Sequence, residues 1–70
     1  MTNEQCLIMM YRLLLLLKKM DSRYILSVVG EFSGYLVSKE DTKHFDTFEQ
    51  AIDILFFELN DLVMEVDYNE

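Results

Sequence analysis

Several residue types are scarce in this sequence of 70 residues, which has no proline, no tryptophan, one cysteine and one histidine. The single cysteine, Cys6, excludes an intramolecular disulfide and is typical of a reducing cytoplasm. Together with the single histidine, His44, it is too little for the usual zinc clusters. A chain of this length forms one domain, 1–70, and buries only about 60% of its unfolded surface. Stability must therefore come from a dense core or from self-association.

Basic residues are also scarce, since 6 Lys and Arg stand against 13 Asp and Glu, for a net charge of −7. This balance argues against direct binding of nucleic acid, where basic groups must neutralise phosphates, and against docking on an anionic membrane. The run from Cys6 to Leu17 is nearly all apolar, but a spanning helix needs about 20 residues and Arg12 interrupts the run. The last part of the chain, 46–70, carries eight acidic groups and no basic group. A basic protein is the partner that such a segment would attract.

The hydrophobic pattern predicts an α+β domain in which a long C-terminal helix packs on an antiparallel β-hairpin. Thr2-Asn3-Glu4-Gln5 fits a capping box at the start of the first helix. Ser33-Gly34 is expected at the tight corner of the hairpin, and Glu40 to Lys43 at a second, polar turn. The expected elements are a helix over about 3–20, strands over about 24–30 and 35–39, a short third strand that 43–46 could add, and a helix over about 47–67.

The first helix is apolar almost all round, apart from a narrow stripe of Gln5, Arg12 and Lys19. One interpretation is a central core helix, and the other is a helix covered by a second copy of the chain. A chain of 70 residues has few elements to surround such a helix, so we predict a homo-oligomer. A monomer with a tolerated apolar surface is the alternative. The predicted oligomer interface is Leu7, Met10, Leu13, Leu14 and Leu17.

The last helix carries two apolar groups of residues. The predicted core face is Phe48, Ile52, Leu55, Leu59, Leu62 and Val66, widened by Ala51, Phe56 and Val63. Opposite it lie Ile54, Phe57, Met64 and Tyr68, which are surrounded by polar and acidic residues. Apolar patches with polar rims often mark interfaces, although the first helix or a second copy could cover this one. The predicted partner-binding residues are Asp53, Phe57, Asp61, Met64, Glu65, Asp67 and Tyr68.

No constellation for catalysis is visible. Cys6 is interpreted as a small core residue, and His44, far along the chain, as a surface residue. The acids of the last helix lack the alternating spacing and central glycine of a calcium loop. Gly30 and Gly34 do not lead directly into a helix with a P-loop lysine. We therefore predict no catalytic residue, no metal and no cofactor.

As a whole, the chain resembles a type rather than an individual family: the short, acidic, single-cysteine accessory proteins of bacterial phages and mobile elements. The likeness rests on length, net charge and a strand pair that leads into the acidic helix Phe48-Glu49-Gln50-Ala51-Ile52-Asp53-Ile54-Leu55. It implies an inhibitor of a host enzyme or of a defence nuclease, acting in some cases by imitating DNA. The alternative is a structural, oligomer-forming protein whose acidic surface provides solubility.

DNA mimicry can be judged by charge spacing. Eight acids over 46–70 give one charge per about 4.5 Å of helix, whereas duplex DNA has one per about 1.7 Å. Mimicry would therefore need an oligomer that aligns two such helices.

Overall fold

A computed structural model describes the backbone of residues 1–68 and the side chains of residues 1–65. The predicted α+β fold is confirmed, with an N-terminal helix, an antiparallel sheet and a C-terminal helix that packs on it. The third strand, which was only an option in the sequence, is as long as the other two. The elements are α1 (Asn3–Lys19), β1 (Ile25–Val28), β2 (Gly34–Val37), β3 (Thr42–Phe45) and α2 (Phe48–Tyr68).

Local hydrogen bonds fix both ends of α1. The Gln5 amide donates to Thr2 Oγ1 at 3.2 Å, and the Thr2 amide donates to Gln5 Oε1 at 2.9 Å, which completes the predicted capping box. At the other end Asp21 adopts a left-handed conformation with φ of 60°. The Ser22 amide then donates to the Leu17 carbonyl at 2.8 Å, as in a Schellman motif. This turn ends α1 and directs the chain into the sheet.

The three strands form one antiparallel sheet in the order β1-β2-β3. In β2 the side chains alternate, so that Leu36 is buried beneath the helices while Tyr35 lies on the open face. The register places Leu36 between Leu26 and Lys43 on the inner face. On the open face Tyr35 lies opposite His44, with ring centroids 5.1 Å apart. Among residues 1–65, whose side chains are described, only one face of the sheet is therefore covered.

The predicted corner at Ser33-Gly34 is wrong, because Gly34 belongs to β2. The turn lies earlier, where the Val29 and Gly30 amides both donate to the Ser33 carbonyl, at 2.9 and 3.1 Å. A Cβ atom on Gly34 would lie 2.0 Å from the Ser27 carbonyl oxygen. Glycine is needed here for the close approach of β1, not for a turn conformation.

The polar turn between β2 and β3 also lies earlier than predicted. Ser38 and Asp41 close it, since the Ser38 amide donates to the Asp41 carbonyl at 2.8 Å. Thr42 and Lys43 belong to β3 rather than to the turn. After β3 the Gln50 amide donates to Thr47 Oγ1 at 3.2 Å, which caps the start of α2.

The two helices pack on each other more extensively than either packs on the sheet. They run in the same direction, because Cys6 at the start of α1 lies beside Glu49 at the start of α2. An odd number of antiparallel strands between helices on one face requires this orientation. The buried core consists of Cys6, Met10, Leu13 and Leu17 from α1, Leu36 and Phe45 from the sheet, and Phe48, Ala51, Ile52 and Leu55 from α2.

Candidate interaction surfaces

The side of α2 that points away from the core carries two large apolar side chains among acids. Phe57 is 66% exposed and Met64 is 61% exposed. Asp53, Asp61 and Glu65 are exposed on the same side. The structure thus brings together five of the seven predicted partner-binding residues, and we call these five the α2 outer face. The other two predicted residues, Asp67 and Tyr68, have side chains that lie outside the described part.

The core stripe of α2 is narrower than predicted. Phe56 and Val63, which were expected to widen it, are exposed, whereas Ile54, expected on the outer patch, is partly buried against the core. The reason is the arrangement of its neighbours, because α2 packs mainly on α1 and meets the sheet mainly at β3. These neighbours do not cover both flanks of the helix. Phe56 and Val63 therefore add apolar surface beside the α2 outer face.

The predicted oligomer interface on α1 needs correction. Met10, Leu13 and Leu17 are buried in the core of the chain itself, and Leu7 and Leu14 are partly buried against that core. Buried side chains cannot also contact a second copy, so the prediction is wrong for Met10, Leu13 and Leu17. The reason is that an all-round apolar wheel does not reveal which side meets the rest of the chain.

Apart from Leu16, which is 46% exposed, the exposed apolar side chains of α1 lie on its opposite side. Ile8 is 53% exposed, and Tyr11 and Leu15 are each 59% exposed. We call these three residues the α1 outer stripe. A shallow groove beside it brings Tyr11 and Leu15 close to Ile25 at the start of β1, which extends the apolar surface onto the sheet. The sequence analysis missed this stripe, although its spacing of three and four residues was visible in the sequence.

A depression of about 850 Å³ lies where the end of α1, the second turn of the sheet and the second half of α2 meet. Four of the six basic residues line it, but so do four acids, so the fixed charges cancel. The innermost cation is already paired, because Lys43 Nζ lies 2.7 Å from Glu58 Oε1. This depression does not have the charge excess of an anion site. Its basic residues are Lys18, Arg23, Lys39 and Lys43, and its acids are Asp21, Glu40, Asp41 and Glu58.

A small polar cluster forms the inner wall of this depression. The hydrogen bond to Glu58 raises the pKa of Lys43 above its ordinary value. Burial, followed by the nearby Glu58 carboxylate, raises the pKa of Tyr24. The Lys43 ammonium lies 6.0 Å from the centre of the Tyr24 ring. Because the ammonium and carboxylate satisfy each other, the cluster ties β3 to α2.

The residues with potential for catalysis lie apart. Cys6 is buried, with its Sγ 3.9 Å from Glu49 Oε1. His44 lies on the open face of the sheet, where its Nδ1 is 3.7 Å from Asp46. The sheet separates the two, so the thiol and the imidazole do not form a nucleophile–base pair. Among the side chains that the structure describes, no three His, Cys, Asp or Glu residues come together as metal ligands.

Comparisons with known proteins found no protein family, no curated protein and no solved structure that matches this chain. Neither helix, over the residues described, has the length and apolar character needed to cross a membrane. The exposed faces of the two helices are therefore the features from which a function can be argued.

Proposed function

We propose that this protein is a non-catalytic binding module whose α2 outer face docks on a basic protein. The observation that carries the proposal is the exposure of Phe57 and Met64 in the middle of Asp53, Asp61 and Glu65. The free energy of two large apolar side chains, each about two-thirds exposed, is lower when a partner buries them than when they contact water. The type that the chain resembles extends the proposal to an inhibitor or regulator of a nucleic-acid-handling host protein in the cytoplasm, with an origin in a phage or mobile element.

The two kinds of side chain on this face have different roles in the proposal. Phe57 and Met64 are the anchors, because apolar groups that become fully desolvated dominate the energy of most interfaces. The acids steer the partner, since no basic residue follows Lys43 in the sequence to weaken the negative field of α2. Removal of Phe57 should therefore mainly raise the dissociation rate, whereas reversal of the acids should mainly lower the association rate.

The experiment has two stages. Wild-type protein and Phe57→Glu, each immobilised, are incubated with bacterial lysate, and proteins retained only by the wild type are identified. The purified partner is then titrated with wild type, Phe57→Ala, and Asp61→Lys combined with Glu65→Lys. We expect Phe57→Ala to weaken the affinity for the partner by about 10- to 100-fold. The double variant should associate more slowly, and added salt should slow the association of wild type in the same way.

The matched control is Tyr11→Ala, which removes an equally exposed aromatic ring from α1 rather than from α2. It should bind the partner like wild type. If Phe57→Ala and the double variant also bind like wild type while folded, the α2 outer face is only a solvated surface and the proposal is wrong. Displacement of the partner by duplex DNA would support a nucleic-acid-handling partner.

A second candidate function is that of a structural, self-associating protein whose acidic surface keeps it soluble. The observation that favours it is the α1 outer stripe, which nothing in the described part of the chain covers. The two candidates use different helices, so substitutions in α1 and α2 separate them.

A further inference from the structure

The two opposite sides of α1 repeat the same spacing. The buried side consists of Cys6, Met10, Leu13 and Leu17, at steps of four, three and four residues. The outer side consists of Glu4, Ile8, Tyr11, Leu15 and Lys18, at steps of four, three, four and three. Such steps form the straight seam along which two helices pack in a coiled coil. Helix α1 therefore has two seams, and the residues that the structure describes pack only against the inner one.

The centre of the outer seam is apolar and its two ends carry opposite charges. Ile8, Tyr11 and Leu15 are each more than half exposed. Glu4 lies at the start of the helix, and Lys18 and Lys19 lie in its last turn. A second α1 in the antiparallel direction would place Ile8 against Leu15 and Glu4 against Lys19. The seam is thus complementary to itself under a two-fold rotation, which is the requirement for a symmetric dimer.

The parallel arrangement fits poorly. It would place the lysine pair of one copy beside the lysine pair of the other, and Glu4 beside Glu4. Like charges at close range oppose association, while the antiparallel arrangement places Glu4 of each copy beside the lysine pair of the other. In the antiparallel pair the positive end of each helix dipole also lies beside the negative end of the other.

We propose that the protein forms a two-fold symmetric dimer in which the α1 outer stripes of two copies pack antiparallel, with the rotation axis near Tyr11 and Arg12. The occupant of this face is a second copy of the chain. The seam is one helix of 17 residues, or about 26 Å, long, so the interface is smaller than standard size. We therefore expect a reversible dimer with a dissociation constant of about 1–100 µM.

The first test is the mass of the intact protein by sedimentation over about 1–500 µM, a range that brackets this constant. We expect a monomer at low and a dimer at high concentration. Tyr11→Lys should remain monomeric throughout, because it places a positive charge beside Arg12 of the second copy and beside its own symmetry mate. The matched control Phe57→Lys makes the same kind of change on α2 and should dimerise like wild type. Ile8→Gln combined with Leu15→Gln replaces Tyr11→Lys if circular dichroism shows that variant unfolded.

The second test fixes the direction of the helices by charge reversal. Glu4→Lys should weaken the dimer by about tenfold, because it opposes Lys19 of the second copy. Glu4→Lys combined with Lys19→Glu should restore the dimer, since the lysine at position 4 then faces the glutamate at position 19 of the second copy. In a parallel dimer residue 4 would face residue 4 and residue 19 would face residue 19, so both variants would keep like charges in contact. The single variant would then dimerise as the double variant does.

A wild-type protein that stays monomeric over the whole range would overturn the proposal. So would a dimer that survives Tyr11→Lys but is lost in Phe57→Lys. A double charge reversal that fails to restore dimerisation would overturn the antiparallel arrangement. Binding of a basic partner by α2 is independent of these results, because Tyr11→Lys leaves the α2 outer face intact.

Discussion

Substitution of Gly34 by alanine should open the sheet between β1 and β2. The new methyl group would lie 2.0 Å from the Ser27 carbonyl oxygen, and 2.9 Å from both the Ser27 carbonyl carbon and Val28 Cα. These are backbone atoms, which cannot rotate away as the end of a side chain can. Since ordinary contact begins at 3.4 Å, β1 would have to move by about 1.4 Å relative to β2.

The cost follows from the size of this displacement. An N–H···O distance of about 2.9 Å becomes about 4.3 Å, which is no longer a hydrogen bond. Loss of two ladder hydrogen bonds, at about 1 kcal/mol each, and of part of the packing of Leu26 amounts to about 2–4 kcal/mol. A 70-residue domain has a total stability of about 4–10 kcal/mol, so much of it would be lost.

Urea and thermal denaturation followed by circular dichroism measure this loss, which corresponds to a fall in Tm of about 10–25 °C. Gly30→Ala is the matched control, because its methyl group meets only Ser33 Oγ, at 2.4 Å, and that hydroxyl can rotate away. The control should change the free energy of unfolding by less than about 1 kcal/mol. Equal stabilities for the two variants would refute the close approach of β1 to Gly34.

Two further predictions concern the end of α1 and the contact between β3 and α2. Asp21→Gly should raise the free energy of unfolding by about 0.5–1 kcal/mol in urea denaturation, because Asp21 has a φ of 60° and carries a negative charge at the negative end of α1. Asp21→Asn, which removes only the charge, should give a smaller gain, and a loss in both variants would contradict the reasoning. For the ion pair, the pKa of Lys43 in the folded protein is raised above its ordinary value of 10.5, so its contribution to stability is complete below that pH. It is lost as the pH rises from 10.5 through the folded pKa, so denaturation followed from about pH 9 to about pH 12 should show this loss in wild type but much less of it in Glu58→Gln.

Much of the fold follows from short-range patterns in the sequence. The capping box at Thr2 and Gln5 was predictable, because it involves residues three apart and needs no tertiary contact. The two helices were predictable from their length and periodicity. The third strand was less certain, because Thr42, Lys43 and His44 are polar and only Phe45 is buried. Pairing with β2, rather than hydrophobicity, makes this segment a strand.

Other features depend on contacts between distant parts of the chain. Gly34 was assigned to a turn because glycine is common in turns, whereas its real constraint is the backbone of Ser27. Met10, Leu13 and Leu17 were assigned to an interface although they belong to the core, since only the position of α2 decides which leucines are buried. On α2 the ring of acids around Phe57 and Met64 was predictable, because charged residues rarely occupy a core face.

Because the only thiol of the protein is buried, its chemical labelling reports how often the structure opens. Cys6 is fully buried at the contact between the starts of α1 and α2. An alkylating reagent can reach its sulfur only when the two helices separate. If the two helices close again faster than the reagent alkylates Cys6, the labelling rate measures the equilibrium population of the open state, and no added probe is needed. Labelling of Gly34→Ala beside wild type would then show whether the sheet and the helix pair unfold as one cooperative unit or in succession.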